Sequence, residues 1–502
     1  MKKHFLFFSL VLVTSLLNAQ SPLNDCPPRN PKIISTRDHG VITFNPPRGD
    51  ENTRDKPEFR SDRLIFWVHG LGGNVGSWER AATATQYQQP GQQIPGYPAR
   101  KATSLLPTYN EFSLSGGAVG LHNALASMGD PHCTIHKIED KTINFIISHS
   151  QGGLVSRATD QMYDVQNYGS QRRFGGIVTF GTSHGGAQLL NNKHEFEFMA
   201  NWGCNALIAG PKEDLLNNWI VGLFLPNDVV ETFKDKMCKF ISTDVLSMFF
   251  KEQMAPITED YKVGAAALAS LNSHSSSIPR VAFYGEEQEP VFYRLMYSLN
   301  KKTPNEFLPF QADPDQEMVD TIESVTQRYK AKYELYKWRV EYLESIGMPC
   351  DPIEWAMNPT CAIWDAEYWK KVKKRDAWQQ GYDWLRMSNI MFKSITGARV
   401  YQPITETVTV CDCGPSEFPV GTPGECPPGC TTQVTTQTYF ASLDKPNDGV
   451  VLAESATAYP GARNAALPKS NHQQMRNDSN TKQRLNEVFE GGFGRYFITD
   501  PR

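Results

Sequence analysis

Short apolar runs separated by turn-rich polar stretches mark much of the chain. Four of them, at 64–68, 143–147, 176–180 and 280–284, are too short for helices and are flanked by Gly, Asn, Ser or charged residues, so each reads as a buried strand. Helix-like patterns lie between them, and that alternation predicts a mostly parallel, doubly wound α/β sheet. Two longer blocks interrupt it. Residues 190–275 carry Trp219, Ile220, Val221, Leu223, Phe224 and Leu225, then Phe240, Ile241, Val245, Leu246, Met248, Phe249 and Phe250. Such helices fit a buried layer or a lid whose apolar face closes over a site. Residues 315–395 place Ile322, Val325, Tyr329, Tyr336, Val340 and Leu343 on one face of a long helix.

That second block also holds Trp338, Trp355, Trp364, Trp369, Trp378 and Trp384. Aromatics at this density either cement a helical cap or line a wide acyl or glycan groove. The basic run Lys370, Lys371, Lys373, Lys374 and Arg375 fits a solvated helix face, with anionic headgroups as the alternative contact. Farther on, TETVTV and TTQVTTQTYF read as two strands of a long hairpin enclosing the Gly/Pro-rich segment CDCGPSEFPVGTPGECPPGC.

The 502 residues exceed the needs of one α/β core, so insertions are expected. Met1-Lys2-Lys3, the apolar stretch Phe5 to Leu17 and then Asn18-Ala19 have the three regions of a secretory signal peptide, with cleavage expected after Ala19. No cysteine follows that position to carry a lipid anchor, and no later stretch has the roughly 20 uncharged apolar residues of a spanning helix. The expected location is secreted or periplasmic. Removing Lys2 and Lys3 takes the formal net charge from −4 to −6, which argues against nucleic acid as a partner. Ten cysteines in an exported chain point to disulfides rather than metal. Cys411, Cys413, Cys426 and Cys430 would staple the hairpin near its tip, and Cys350 with Cys361 would close a short loop; the other pairings stay open.

The candidate chemistry starts at Ser148-His149-Ser150-Gln151-Gly152-Gly153, where an apolar strand runs into a helix start. This is the pattern of a nucleophile elbow, in which small residues two positions either side of a serine let the backbone turn sharply. Ser148 stands where such elbows usually have glycine. Ser150 is then the candidate nucleophile, and the Gln151 amide at the helix N-terminus is placed to donate to an oxyanion. Upstream, the strand ending at Val68 leads into His69-Gly70-Leu71-Gly72-Gly73, a turn whose Leu71 amide is the candidate second donor; a plain tight connection would look the same. Downstream come Asn447-Asp448-Gly449-Val450-Val451 and Asn471-His472, supplying an acid and then a histidine in the order Ser, Asp, His. Glu286, Glu287 and Glu289 follow the strand at 280–284, and Glu289 is the alternative acid. Asp478 comes after the histidine and is the weaker candidate.

With VHGLGG at 68–73, SHSQGGLVSR at 148–157, VTFGTSHGGAQ at 178–188, NDGVV at 447–451 and the later Asn471-His472, the chain resembles serine lipases and esterases of the α/β-hydrolase superfamily, bacterial triacylglycerol lipases and GPI inositol-deacylase-like hydrolases among them. The resemblance reaches from about residue 60 to 475, with 190–275 and 300–440 unmatched. It implies an α/β-hydrolase fold with helical lid and cap insertions and a disulfide-rich β-hairpin. It also implies a structural rather than catalytic role for His184. Bacterial lipases of this kind often bind calcium through an aspartate two residues after the histidine. Here that position is Gln474, no zinc pattern is present, and no cofactor or metal is expected.

The expected layout is a signal peptide at 1–19, a first core part at 20–189, a lid-like insertion at 190–275, a core strand at 276–300, an aromatic-rich helical insertion at 301–398, a Cys-rich hairpin at 399–440 and a last core part at 441–502. The expected activity is hydrolysis of lipid or other carboxylic esters through an acyl-enzyme, with peripheral contact to a lipid interface. A phospholipase, deacylase or acyltransferase on the same scaffold, or an inactive surface binding protein, are the alternatives.

Overall fold

A computed structural model describes residues 42–43, 63–73, 75–78, 81–82, 102–107, 109, 113–128, 141–165, 169–208, 259–300, 316–351, 353, 358, 360–412, 431–476 and 478–499. The signal-peptide segment, the apolar stretch 219–250, Trp355 and the hairpin tip with Cys413, Cys426 and Cys430 lie outside them.

In chain order the elements are β1 (Ile42–Thr43), β2 (Leu64–Val68), β3 (Thr103–Leu106), α1 (Leu114–Met128), β4 (Phe145–His149), α2 (Gln151–Val165), β5 (Ile177–Phe180), α3 (Lys193–Ile208), α4 (Ala266–Ser273), β6 (Arg280–Glu286), α5 (Val291–Asn300), α6 (Gln316–Ser345), α7 (Cys361–Ile395), β7 (Arg399–Asp412), β8 (Thr431–Asp444), β9 (Arg463–Pro468) and α8 (Ser479–Phe489). The main sheet runs β1-β3-β2-β4-β5-β6-β9, parallel throughout except that β1 is antiparallel to β3. The expected α/β class holds.

The central strands β2, β4 and β5 are buried on every residue because both faces of the sheet are covered. Leu64, Phe66, Val68 and Ile146 face a layer with Leu121, Leu125, Leu154 and Leu268 from α1, α2 and α4. The alternate residues Ile65, Trp67, Phe145 and Ile147 face Trp78, Leu485, Val488, Phe489 and Phe497. The second apolar run starts its strand later than the sequence predicts, at Phe145 rather than Ile143. The reason is Asn144, whose side chain accepts from the Leu64 amide at 2.9 Å and donates to the Arg173 carbonyl, so Lys141–Ile143 is left to form a 3-10 turn.

The insertions stand apart from this core. A second apolar cluster gathers Phe196 and Met199 of α3, Phe292 and Tyr293 of α5, Val325 and Tyr329 of α6, and Trp378, Trp384 and Phe392 of α7. The helical cap reading thus holds for Trp378 and Trp384, whereas Trp338, Trp364 and Trp369 are exposed. Strands β7 and β8 form a separate two-stranded ribbon, in register from Arg399↔Asp444 to Asp412↔Thr431. At its base Lys393 of α7 bonds both Glu289 and Asp444, and Arg399 grips Asp444 at 2.7 and 2.9 Å. A disulfide joins Cys350 to Cys361. No helix among the described residues is long and apolar enough to cross a membrane.

The root of the cap depends on Trp384. Its indole donates to the Met199 carbonyl at 3.1 Å and lies so close to Gly203 that a Cβ there would come within 2.4 Å of the ring. Trp384→Ala removes the largest side chain at this junction and is expected to destabilise the cap by about 3–5 kcal/mol, read as a lower midpoint in urea unfolding followed by far-UV circular dichroism.

Candidate active site

The loops carrying Leu71, Ser150 and His472 follow the carboxyl ends of β2, β4 and β9, and Asn447, beside Asp448, accepts from the Glu287 amide just past β6, so side chains from several loops converge there. At the end of β4, Ser150 adopts φ 53, the left-handed region that non-glycine residues seldom occupy. Its amide donates to the Phe180 carbonyl at 2.9 Å, and its carbonyl accepts from Gly153, so the turn is pinned from both sides. The flanking glycines are required by contact: a Cβ on Gly152 would sit 2.2 Å from the His69 carbonyl oxygen, and one on Gly153 would sit 2.1 Å from Thr182 Oγ1. Ser148, in the place of the usual glycine, is fully buried and donates from Oγ to the Val178 carbonyl at 3.1 Å. The elbow thus absorbs the extra hydroxyl as an inter-strand bond.

The structure brings His472 and Asp448 to Ser150. His472 Nε2 lies 2.9 Å from Ser150 Oγ, and its Nδ1 lies 2.8 Å from Asp448 Oδ2. The His472 amide also donates to the Asp448 carbonyl at 2.7 Å. Asp448 is buried, and its other oxygen accepts from the Val450 and Val451 amides at 2.9 and 2.7 Å. Both carboxylate oxygens are therefore committed, one to the backbone and one to the imidazole. An Nδ1–H donated to Asp448 leaves Nε2 as an acceptor facing the serine hydroxyl. Gly449, at φ 92, makes the tight turn that points Asp448 inward.

The other candidates lie elsewhere. Glu289, largely exposed, bonds Lys393 and accepts from Asn389 at 2.6 Å, which ties it to the cap helix α7. Glu287 is buried in a pair with Arg294 at 2.9 Å; burial pushes its carboxyl up, and its amide donates to the Asn447 carbonyl. Asp478 caps α8, accepting from the Thr481 amide and from Ser470 Oγ. His184 is fully buried, between Arg157 Nη1 at 3.0 Å and Thr179 Oγ1 at 3.1 Å, and burial followed by the Arg157 charge holds it well below the usual histidine range. Gln474 bonds back to the Asn471 amide.

Leu71 lies in the turn after β2, half-buried, and Gly70 brings that turn against the elbow: a Cβ there would meet Ser150 Cβ at 2.8 Å. Gln151 opens α2, is buried, and donates from its side chain to Tyr261 Oη at 3.3 Å, which leaves its backbone amide among the first of the helix. His69, next to Gly70, stacks on Tyr109 with centroids 4.8 Å apart, and Tyr109 donates to the His69 carbonyl.

One further histidine escaped the sequence reading. His149, immediately before Ser150, sends Nε2 to the His472 carbonyl oxygen at 2.7 Å, with ring centroids 4.7 Å apart. Burial, followed by the neighbouring His472, holds its pKa well below 6.5, so it stays a neutral N–H donor. Its position at the end of an apolar strand was the available signal. Among the described residues one group has metal-ligating types together, Asp160, Asp164 and His274, but Arg172 bridges both carboxylates at 2.6 Å and already supplies the cation.

No family model matches the sequence, and no curated protein matches it. Solved structures do. Phospholipase PlaB from Legionella pneumophila is 12% identical, with the match covering 46% of this chain and 41% of that one, at a TM-score of 0.26. The lipase BlEst2 from Bacillus licheniformis is 14% identical over 53% of this chain and 85% of that one, at 0.23. The juvenile hormone epoxide hydrolase of the silkworm Bombyx mori is 12% identical over 57% and 72%, at 0.25. The match thus spans less than half of the phospholipase's length, and likenesses at these scores carry no weight on activity. Sheet order, the strained serine turn after β4, and the arrival of Asp448 and His472 in the loops around β6 and β9 identify the fold of this chain as that of the α/β hydrolases.

Proposed function

We propose that the protein is a serine ester hydrolase, with Ser150 as nucleophile, His472 as general base and then acid, and Asp448 as the group that orients His472. The observation that carries this reading is the unbroken relay from Ser150 Oγ to His472 Nε2 and from His472 Nδ1 to Asp448 Oδ2. A serine hydroxyl is too weak a nucleophile at neutral pH without a base in hydrogen-bond reach. In the proposed cycle His472 takes the Ser150 proton as Oγ bonds to the ester carbonyl carbon, and returns it to the departing alcohol oxygen. Water then repeats the sequence on the acyl-enzyme, releasing the acid and restoring Ser150 Oγ–H. The Gln151 and Leu71 amides are the proposed donors to the oxyanion formed at each addition. The Val450 and Val451 amides donate to one oxygen of Asp448 and leave the other aimed at His472.

The apolar composition of the 190–275 block supports acyl lipids over small polar esters as substrates. A disulfide between Cys350 and Cys361, with the leader-like first residues, supports an exported protein. Turnover of p-nitrophenyl butyrate and palmitate in detergent tests the substrate class: lipid-ester specificity requires the long ester to be preferred, and preference for butyrate points to a carboxylesterase. Transfer to an added alcohol in place of water would mark an acyltransferase.

Ser150→Ala is expected to lower kcat by about 10⁴-fold or more. Asp448→Asn should cost roughly 10³–10⁴-fold, by favouring the wrong imidazole tautomer. Glu289→Gln should leave kcat within about twofold; the opposite ranking of the two acids would overturn the assignment of Asp448.

His149 is a positioning residue in this reading, since it touches the backbone of His472 rather than the reacting atoms. His149→Ala is expected to lower kcat by about 10–100-fold with KM unchanged. His149→Gln, whose amide nitrogen reaches a similar place, should recover most of the loss. Equal loss in both variants, or a loss confined to KM, contradicts the role.

A further inference from the structure

The hairpin of α6 and α7 extends well beyond the part that packs on the core. Trp384, where α7 meets α3, and Cys361, where α7 begins, are separated by 23 residues, roughly 35 Å of helix. The distal end has its own small apolar cluster, Val340, Leu343, Met348 and Tyr368, drawn from the hairpin alone, and the Cys350–Cys361 disulfide braces it.

This end carries large apolar side chains that the hairpin leaves in solvent. On α6, Trp338 (61% exposed) and Tyr342 stand four residues apart with their rings stacked 5.9 Å apart, and Ile346, just past the helix end, is exposed as well. On the other side of the turn, Ile353, Ile363 (72% exposed), Trp364 and Trp369 are exposed as well. Helices that only pack on each other do not need three exposed tryptophans at one end.

Charge is sorted along the same axis. Asp351, Asp365 and Glu344, the described acids nearest the turn, are consumed internally: they accept from the Ile353 amide, the Cys350 amide and Tyr368 Oη at 2.8, 2.8 and 2.9 Å. Glu367 is paired with Lys371 at 2.5 Å. One step back from the turn, beside Trp338 and Trp369, stand Lys337, Lys370 and Lys373, all exposed, with Arg339 and Lys374 held over the Tyr336 ring. With Lys371 and Arg375, which pair with Glu367 and Asp376, the seven cations of this level outnumber its four acids, Glu334, Glu341, Glu367 and Asp376. Tryptophan and tyrosine prefer the headgroup depth of a bilayer, and a girdle of lysines just behind them meets the phosphates.

We propose that the distal end of the α6–α7 hairpin docks on an anionic lipid surface, with its aromatic side chains at headgroup depth and its lysines against the phosphates. The helices lie at the interface and do not span it, in keeping with their polarity. The hairpin would hold the hydrolase core beside the bilayer. This proposal does not depend on the ester-hydrolase reading.

Sedimentation of the full-length protein with vesicles tests it, using phosphatidylcholine alone and phosphatidylcholine mixed equally with phosphatidylglycerol. The unaltered chain should bind the mixed vesicles more tightly. Combined Trp338→Glu, Tyr342→Glu and Trp364→Glu should weaken that binding by about tenfold or more, and combined Lys370→Glu and Lys373→Glu should abolish the preference for the anionic vesicles. All five side chains avoid the buried core, so far-UV circular dichroism and turnover of p-nitrophenyl butyrate should match the unaltered chain in both variants. Absence of vesicle binding, or binding that survives the three aromatic substitutions, overturns the proposal. So does binding that is indifferent to both phosphatidylglycerol and the lysine substitutions. Loss of turnover by the unaltered chain bears on Ser150 chemistry and leaves the vesicle result standing.

Discussion

The left-handed turn at Ser150 is the constraint around which the rest of the site is arranged. A serine at φ 53 is held against its own preference, at a cost of about 1–3 kcal/mol, and the surrounding sheet has to supply that energy. It does so through the Ser150 amide bond to Phe180 on β5 and the Ser148 hydroxyl bond to Val178 on the same strand. Gly152 and Gly153 let the His69 carbonyl and Thr182 approach to distances that no side chain would permit. Remove the clamp from either side and Oγ no longer points out of the sheet toward His472.

The same clamp accounts for the neighbouring residues. Gly70 presses the turn containing Leu71, one of the two proposed oxyanion donors, onto Ser150. Asp448 and His472 arrive on loops that hold each other by backbone as well as side chain, and Gly181 leaves room for both, since a Cβ there would lie 3.0 Å from Asp448 Oδ2 and 3.2 Å from His472 Nδ1. His149 closes the circuit by tying the His472 carbonyl back to the strand that carries the serine. The buried Glu287–Arg294 pair lies under the same two loops and joins them to the root of the cap.

How much of this the sequence discloses depends on how local each interaction is. Strands β2, β5 and β6 are legible because both their faces are buried and their residues are apolar throughout or nearly so. Strand β3 is hidden because Thr103 and Ser104 break its apolar run, and β9 because an edge strand paired with β6 alone leaves Arg463 and Asn464 exposed. The elbow is legible because it is a matter of six consecutive residues. Choosing between Asp448 and Glu289 is not, since each follows β6 in the chain. What separates them spatially is the turn at Gly449 and the capture of Glu289 by Lys393 and Asn389. The contact between His149 and His472 joins positions 323 residues apart and has no local signature. Likewise, periodicity identifies the buried face of α6 through Val325, Tyr329 and Tyr336 but says nothing of where the helix outruns its support and leaves Trp338 in solvent.

Whether Ser150 is an activated nucleophile is read from intact-mass and peptide analysis after exposure of the folded protein to a fluorophosphonate. An activated Ser150 gives one adduct, on the peptide carrying that residue, formed by the folded chain and not by the urea-unfolded one. An unmodified Ser150 after prolonged reaction in detergent, or an adduct at another residue, would contradict that activation.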